Sequence, residues 1–136
     1  VSTENLPSHL QENVLVLLCF SPSACPILVN TIGAEHFDFL PYREVAVQAI
    51  TFYREFKAPP LEHIADLLAD KLSNPETAKI YSGILENLFM QRESVNEKYV
   101  LSRLKEFVRL QSLKSSVIEA AKYLQEGDTA QAELVL

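Results

Sequence analysis

Apolar residues recur along this chain at helical rather than strand spacing. Leu10, Val14, Leu17 and Leu18 stand at i, i+4, i+7 and i+8, one face of a first helix. Pro7 and Ser8 precede it, where a start is tolerated, and Ser21-Pro22-Ser23 breaks it. A short helix over about 24–32 follows, with Ser23 as cap, Leu28 and Ile32 inward and Gly33 as stop. Residues 35–40 form a connector whose aromatics, Phe37 and Phe39, are expected to plug space between helices. Pro41 opens a helix with the stripe Ala46, Ala49, Ile50 and Tyr53, widened by Val45 and Phe52 and running to Phe56. Pro59-Pro60 stops it, and Leu61, Ile64, Leu68 and Leu72 form the next stripe. Ser73-Asn74-Pro75-Glu76 reads as a helix start, with Asn74 as cap and Pro75 at the first position. Ile80, Ile84, Leu85 and Leu88 follow on one face. Asn96 caps a long last segment in which Val100, Leu104, Phe107 and Gln111 share a face. A second stripe, Val117, Ala121 and Leu124, lies beyond a possible bend at Ser115-Ser116. Gly127 ends that helix, and Asp128 caps another containing Ala130 and Leu134.

These elements predict an all-α fold: a compact bundle of five to six helices, with a long helical hairpin within residues 75–110 and a C-terminal linker helix. Residues 15–20 taken alone also allow a buried strand, but the helix is the reading preferred because nothing elsewhere pairs with them. A length of 136 residues suits one domain. The expected division is a helical body over 1–126 and the start of a linker over 127–136. The apolar pattern runs up to Leu136, as expected of a piece of a longer chain.

Composition narrows the chemistry. With 48% hydrophobic and 22% charged residues the chain is ordinary globular material, and 3 glycines leave little for hairpins or glycine-rich cofactor loops. Twelve basic residues against 18 acidic ones give a net charge of −6, which argues against duplex DNA held over the whole surface. Residues 92–136 are balanced, and Arg92, Lys98, Arg103, Lys105, Arg109 and Lys114 cluster there. The plain reading of the cluster is a solvated helix face; a small helical DNA-binding domain is the alternative. Cys19 and Cys25 have no zinc spacing and are expected to be buried thiols. The longest apolar stretch, 14–20, is too short to span a bilayer, and no signal peptide opens the chain, so a cytoplasmic location without a membrane partner is expected.

The sequence contains no G-x-x-x-x-G-K-S/T, H-E-x-x-H or G-x-S-x-G. His9, His36 and His63 are scattered. Glu62-His63 with Asp66 reads as a solvated helix start rather than a metal site, and His36 as a capping or packing residue. Asp66 and Asp70 share an i,i+4 spacing without a base or nucleophile beside them. No catalytic, cofactor or metal site is therefore expected within this chain. What remains is surface: tyrosines at 42, 53, 81, 99 and 123, suited to core edges or interfaces, and a last segment, 97–126, longer than a small bundle needs. Such a helix tends to bind something outside its own domain.

In order along the chain, several tracts resemble the N-terminal domain of DnaB-type replicative helicases. They are Leu6-Pro7-Ser8 with Gln11-Glu12-Asn13-Val14-Leu15, then residues 37–50 with Tyr42-Arg43-Glu44-Val45, then Pro60-Leu61-Glu62-His63-Ile64-Ala65-Asp66-Leu67-Leu68. Residues 100–110 and 117–124, followed by Gly127-Asp128, are similar to the family's terminal helix and linker. The tract after Val14-Leu15 lacks the family's glycine, and Tyr42-Arg43-Glu44-Val45 stands where the family has His-x-x-Ile, as in a divergent member. The resemblance implies a non-catalytic collar made of subunit pairs on a hexameric ring. It implies that primase and a helicase loader are received there, and that single-stranded DNA, ATP and Mg²⁺ are handled mainly by a motor domain outside this chain. The helicase-binding domain of a primase, or another helical protein-binding adaptor, is the nearest alternative. Leu88, Phe89, Tyr99, Phe107 and Leu134 are the candidate interface residues.

Overall fold

The computed structural model describes residues 4–136, and every regular element among them is helical. The α-helices are α1 Ser8–Phe20, α2 Cys25–Val29, α3 Leu40–Phe56, α4 Ile64–Leu67, α5 Ala69–Ser73, α6 Ala78–Gln91, α7 Glu97–Gln125 and α8 Thr129–Leu134, with 3₁₀ turns at Ala34–His36 and Leu61–His63. The described residues divide into two compact units, Asn5–Leu101 and Ser102–Leu136 with Glu4, and the division falls inside α7.

The unit Asn5–Leu101, called the body below, is built around α1, which packs on α2, α3 and α6. Residues 14–19 are buried without a gap, so α1 has no solvent face over that stretch. This is why the tract also reads as a strand: an all-round apolar helix has lost its period. Fully burying each leucine of this helix is worth about 1.5–3 kcal/mol relative to exposure. Gln11, also buried, donates from Nε2 to the Leu6 carbonyl at 2.7 Å, while the Leu6 amide donates to the His36 carbonyl at 2.8 Å. Phe37 fills the core completely, whereas Phe39 remains exposed and sets its ring edge-on to Tyr42.

Caps decide the ends. Ser21, not Ser23, accepts from the Ala24 amide at 3.0 Å ahead of α2. Both hydroxyls donate to the Glu97 carboxylate, Ser23 at 2.6 Å and Ser21 at 2.8 Å. The stripe 61–72 divides into a 3₁₀ turn and two short helices, since Leu68 leaves helical dihedrals (φ −107°, ψ 20°). Leu61 just after the proline pair lies in the left-handed region at φ 55°, which costs a leucine about 1–2 kcal/mol. Asn74 caps a single turn, its Oδ1 accepting from the Glu76 amide at 3.0 Å, and α6 begins only at Ala78. On α6 the inward side chains are Tyr81 and Leu88, and Ile80 faces solvent.

Two half-buried carboxylates brace the body. Tyr81 of α6 donates to Glu44 of α3 at 2.5 Å, and Lys71 of α5 reaches the same carboxylate at 3.5 Å. Glu12 of α1 accepts from Tyr42 of α3 at 3.1 Å and from Gln91 of α6. Burial, then the two carboxylates, raise both tyrosine pKa values above the ordinary phenol range. Cys19 and Cys25 are buried free thiols; burial pushes Cys25 up to about 11 and Cys19 further still.

The second unit takes most of α7, which runs through Ser115-Ser116 without a break, and α8. Its end is a Schellman turn: Asp128 N–H donates to the Tyr123 carbonyl at 2.9 Å and Gly127 N–H to Leu124 at 3.1 Å, with Gly127 at φ 79°. Asp128 then caps α8, Oδ1 accepting from the Gln131 amide at 3.0 Å.

Candidate functional site

Asn96 opens α7 as expected, its Oδ1 accepting from the Tyr99 amide at 3.0 Å. Downstream, in the second unit, an apolar seam faces solvent. Leu110, Leu113, Val117 and Leu124 are 43%, 53%, 51% and 56% exposed, while Ala120 is buried. Leu110, Val117 and Leu124 repeat every seven residues, and Leu113 and Ala120 follow the first two by three. Two heptads of that spacing place these side chains along one side of α7. A lone surface apolar side chain is ordinary; three leucines and a valine at this spacing are not.

A shallow cavity of about 430 Å³ opens along the seam, lined by Leu110, Leu113, Val117 and Ile118 with Gln111 and Lys114 at its edge. Glu4 lies across that edge. It accepts from Gln111 Nε2 at 2.8 Å and pairs with Lys114 Nζ at 2.9 Å, and these hydrogen bonds hold its pKa below the usual carboxylate value. The flanking charges are segregated. Residues 102–114 contain four basic and one acidic side chain, and residues 115–136 one basic and four acidic, so α7 and α8 together run from net positive to net negative.

The five candidate interface residues do not form one surface. Leu88 is 1% exposed and belongs to the core of the body. Phe89 is 39% exposed, set edge-on to Phe20 at 6.1 Å, with the Arg92 guanidinium 3.8 Å above its ring. Tyr99 is exposed, Phe107 half-buried, and Leu134 is the most exposed of the five at 76%. The stripe Val117, Ala121, Leu124 needs one change: Ala120, not Ala121, is the buried alanine. Leu110 and Leu113 lie off the two stripes expected for this segment, and the seven-residue repeat connects them to Val117 and Leu124.

Members of the basic cluster carry partners. Arg109 makes a two-pronged contact with Glu106, at 2.7 and 3.2 Å, which lowers the Glu106 pKa, and Lys114 is held by Glu4. His63 Nδ1 and Asp66 lie 3.3 Å apart on the surface, and His36 caps the 3₁₀ turn by accepting from the Gly33 amide at 3.1 Å. Among the described residues no three His, Cys, Asp or Glu side chains gather to hold a metal ion, and no helix is long and apolar enough to cross a membrane. No protein-family model, curated protein or solved structure matches the chain.

Proposed function

We propose that this chain is a non-catalytic assembly and protein-interaction domain of a hexameric, DnaB-type replicative DNA helicase, acting in the cytoplasm during DNA replication. The observation that carries the assembly part is the exposed heptad seam of α7, Leu110, Leu113, Val117 and Leu124. Two copies laid antiparallel would bury the seams against each other and set the basic 102–114 segment of one copy beside the acidic 115–136 segment of the other. In this reading residues 75–110 serve as a helical hairpin, 1–126 as the collar body and 127–136 as the start of the linker. ATP and Mg²⁺ are bound by a motor domain elsewhere in the protein, which also carries the main contact to single-stranded DNA. Primase and a loader are the partners the collar receives. The order of tracts along the sequence supports the helicase assignment, and the seam supports pairing.

Light scattering after size exclusion tests the pairing. The chain is expected to dimerise with rising concentration, and Val117→Glu to leave a monomer with unchanged helicity. A monomer at every concentration overturns the pairing. The helicase assignment is tested by the reading frame: it requires a RecA-like motor with a phosphate-binding loop in the same protein, and a frame that closes at Leu136 overturns it.

A further inference from the structure

The body carries a second apolar concavity that the pairing of α7 does not use. Phe20 at the end of α1, Ile64 in α4, and Leu85 and Phe89 in α6 floor a cavity of about 320 Å³. An adjoining one of about 270 Å³ shares Phe20 and Phe89 and is bordered by Leu61. Phe20 and Phe89 fix the floor by their edge-to-face contact at 70°. The rim is acidic, with Glu62 and Glu86 at one cavity and Glu62 and Glu93 at the other. The body as a whole, residues 5–101, has twelve acidic and seven basic side chains. Arg92 also borders the second cavity; its guanidinium lies 3.8 Å from the centre of the Phe89 ring, Nη1 donates to the Phe89 carbonyl at 2.7 Å, and its one positive charge leaves the carboxylates of Glu62, Glu86 and Glu93 in excess at the rim.

Leu61 adds a second, independent observation. Its backbone is held in the left-handed region, yet its side chain is still 45% exposed. Burial of the rest of the side chain offsets part of that strain, and its exposed part borders the mouth of the apolar groove, open to another surface.

We infer that this groove docks a cationic amphipathic helix of another protein. The floor takes apolar side chains at i, i+3 or i+4, and its volume suits about two of leucine size. The carboxylate rim selects lysines and arginines beside them and repels an acidic helix. The inference goes beyond the assembly reading and does not depend on it, because the groove lies in residues 20–93 and the seam in residues 110–124.

The test titrates the chain with a synthetic helix bearing leucines at i, i+3, i+4 and i+7 and lysines elsewhere, followed by amide chemical shifts. A scrambled peptide of the same composition and a glutamate-for-lysine version are the controls. Saturable binding is expected, with shifts centred on Phe20, Leu61, Leu85 and Phe89 and little binding of either control. The double reversal Glu62→Lys with Glu93→Lys changes only exposed side chains. It is expected to weaken binding tenfold or more at low salt, with helicity unchanged. The inference is overturned if the scrambled peptide binds as well as the patterned one, if the reversal leaves affinity unchanged, or if the shifts fall on the seam of α7. Repeating the titration on Val117→Glu separates the two surfaces: a monomeric variant that still binds the peptide leaves the groove standing and speaks only to pairing.

Discussion

Helices α1 and α7 use their apolar residues in opposite ways. α1 has 13 residues, and eight of them are buried; α7 has 29, and its buried positions are Val100, Leu104 and Ala120. In α1 the leucines face neighbours supplied by the same chain, α2, α3 and α6. In α7 the leucines and valines beyond residue 108 face water at regular spacing. Composition alone does not separate the two cases, since both helices are rich in leucine and valine. What separates them is period. The α1 run is continuous, which suits a helix surrounded on all sides, and the α7 run repeats every seven residues, which suits one partner helix on one side.

The same substitution placed in each helix breaks this comparison most sharply. Leu18→Ala deletes a fully buried side chain in the last turn of α1 and is expected to cost about 3 kcal/mol, the lost transfer term plus the cavity left behind. Leu113→Ala removes a side chain already half in water and is expected to move stability by about 0.5 kcal/mol or less in the monomer. Urea unfolding at low protein concentration reads both. Equal losses would mean that the seam of α7 is part of the core in solution. If Leu113→Ala is neutral for the dilute chain but weakens self-association, the seam is an interface.

Much of the body was legible because its elements end at strong local signals. The prolines at 41, 59 and 60, and the caps at Asn96 and Asp128, fall where the backbone needs them. The face of α3 was equally readable, since Ala46, Ala49 and Ile50 are buried as their spacing requires. Misreadings arise where a residue has two competing partners. Ser23 looks like a cap but donates to Glu97, 74 positions away, a contact no local rule contains. For Leu88 the sequence leaves core and interface both open, because spacing shows that a face is apolar without showing what covers it, and the side chain lies in the core. The groove was invisible for the same reason. Phe20, Leu61 and the pair Leu85 and Phe89 come from three separate elements, and only the fold brings them together.

Alkaline pH sharpens the contrast from the side of the body. Cys19 and Cys25 are held as neutral thiols by burial, and the folded pKa of Cys25 is raised from 9.0 to about 11. A raised folded value means the unfolded chain loses its proton first as pH rises. The stability these thiols contribute is therefore full below the unfolded value near 9 and is lost as pH climbs through the folded value, at about 1.4 kcal/mol per pH unit for each thiol that titrates only when unfolded. Urea midpoints of the native chain are expected to fall from about pH 9 upward, and the double variant Cys19→Ala with Cys25→Ala to fall less steeply. Matching slopes would show that water reaches the thiols in the folded body.

The smallest effects sit at two helix ends that face the same geometric demand with different residues. α7 ends on Gly127 at φ 79°, and α3 ends on Lys57 at φ 57°, whose amide donates to the Tyr53 carbonyl at 2.7 Å. Glycine adopts these dihedrals without steric cost, and a side chain with a Cβ does not. Gly127→Ala meets no neighbouring atom within 4 Å, so its penalty is backbone strain alone, about 1 kcal/mol, opposing the turn from α7 into α8. Lys57→Gly relieves strain of the same kind and is expected to stabilise the body by about 0.5–1 kcal/mol, less the backbone entropy that a glycine regains on unfolding. Because the two changes lie in different units, hydrogen exchange should place them apart: faster exchange in α8 and the last turn of α7 for the alanine, slower exchange in the last turn of α3 for the glycine. If Gly127→Ala slows no less than it speeds exchange around residue 127, the Schellman turn is not what ends α7. If it also speeds exchange within α1, the two units unfold as one, and the difference between a self-covered helix and an uncovered one is a matter of burial and not of separate stability.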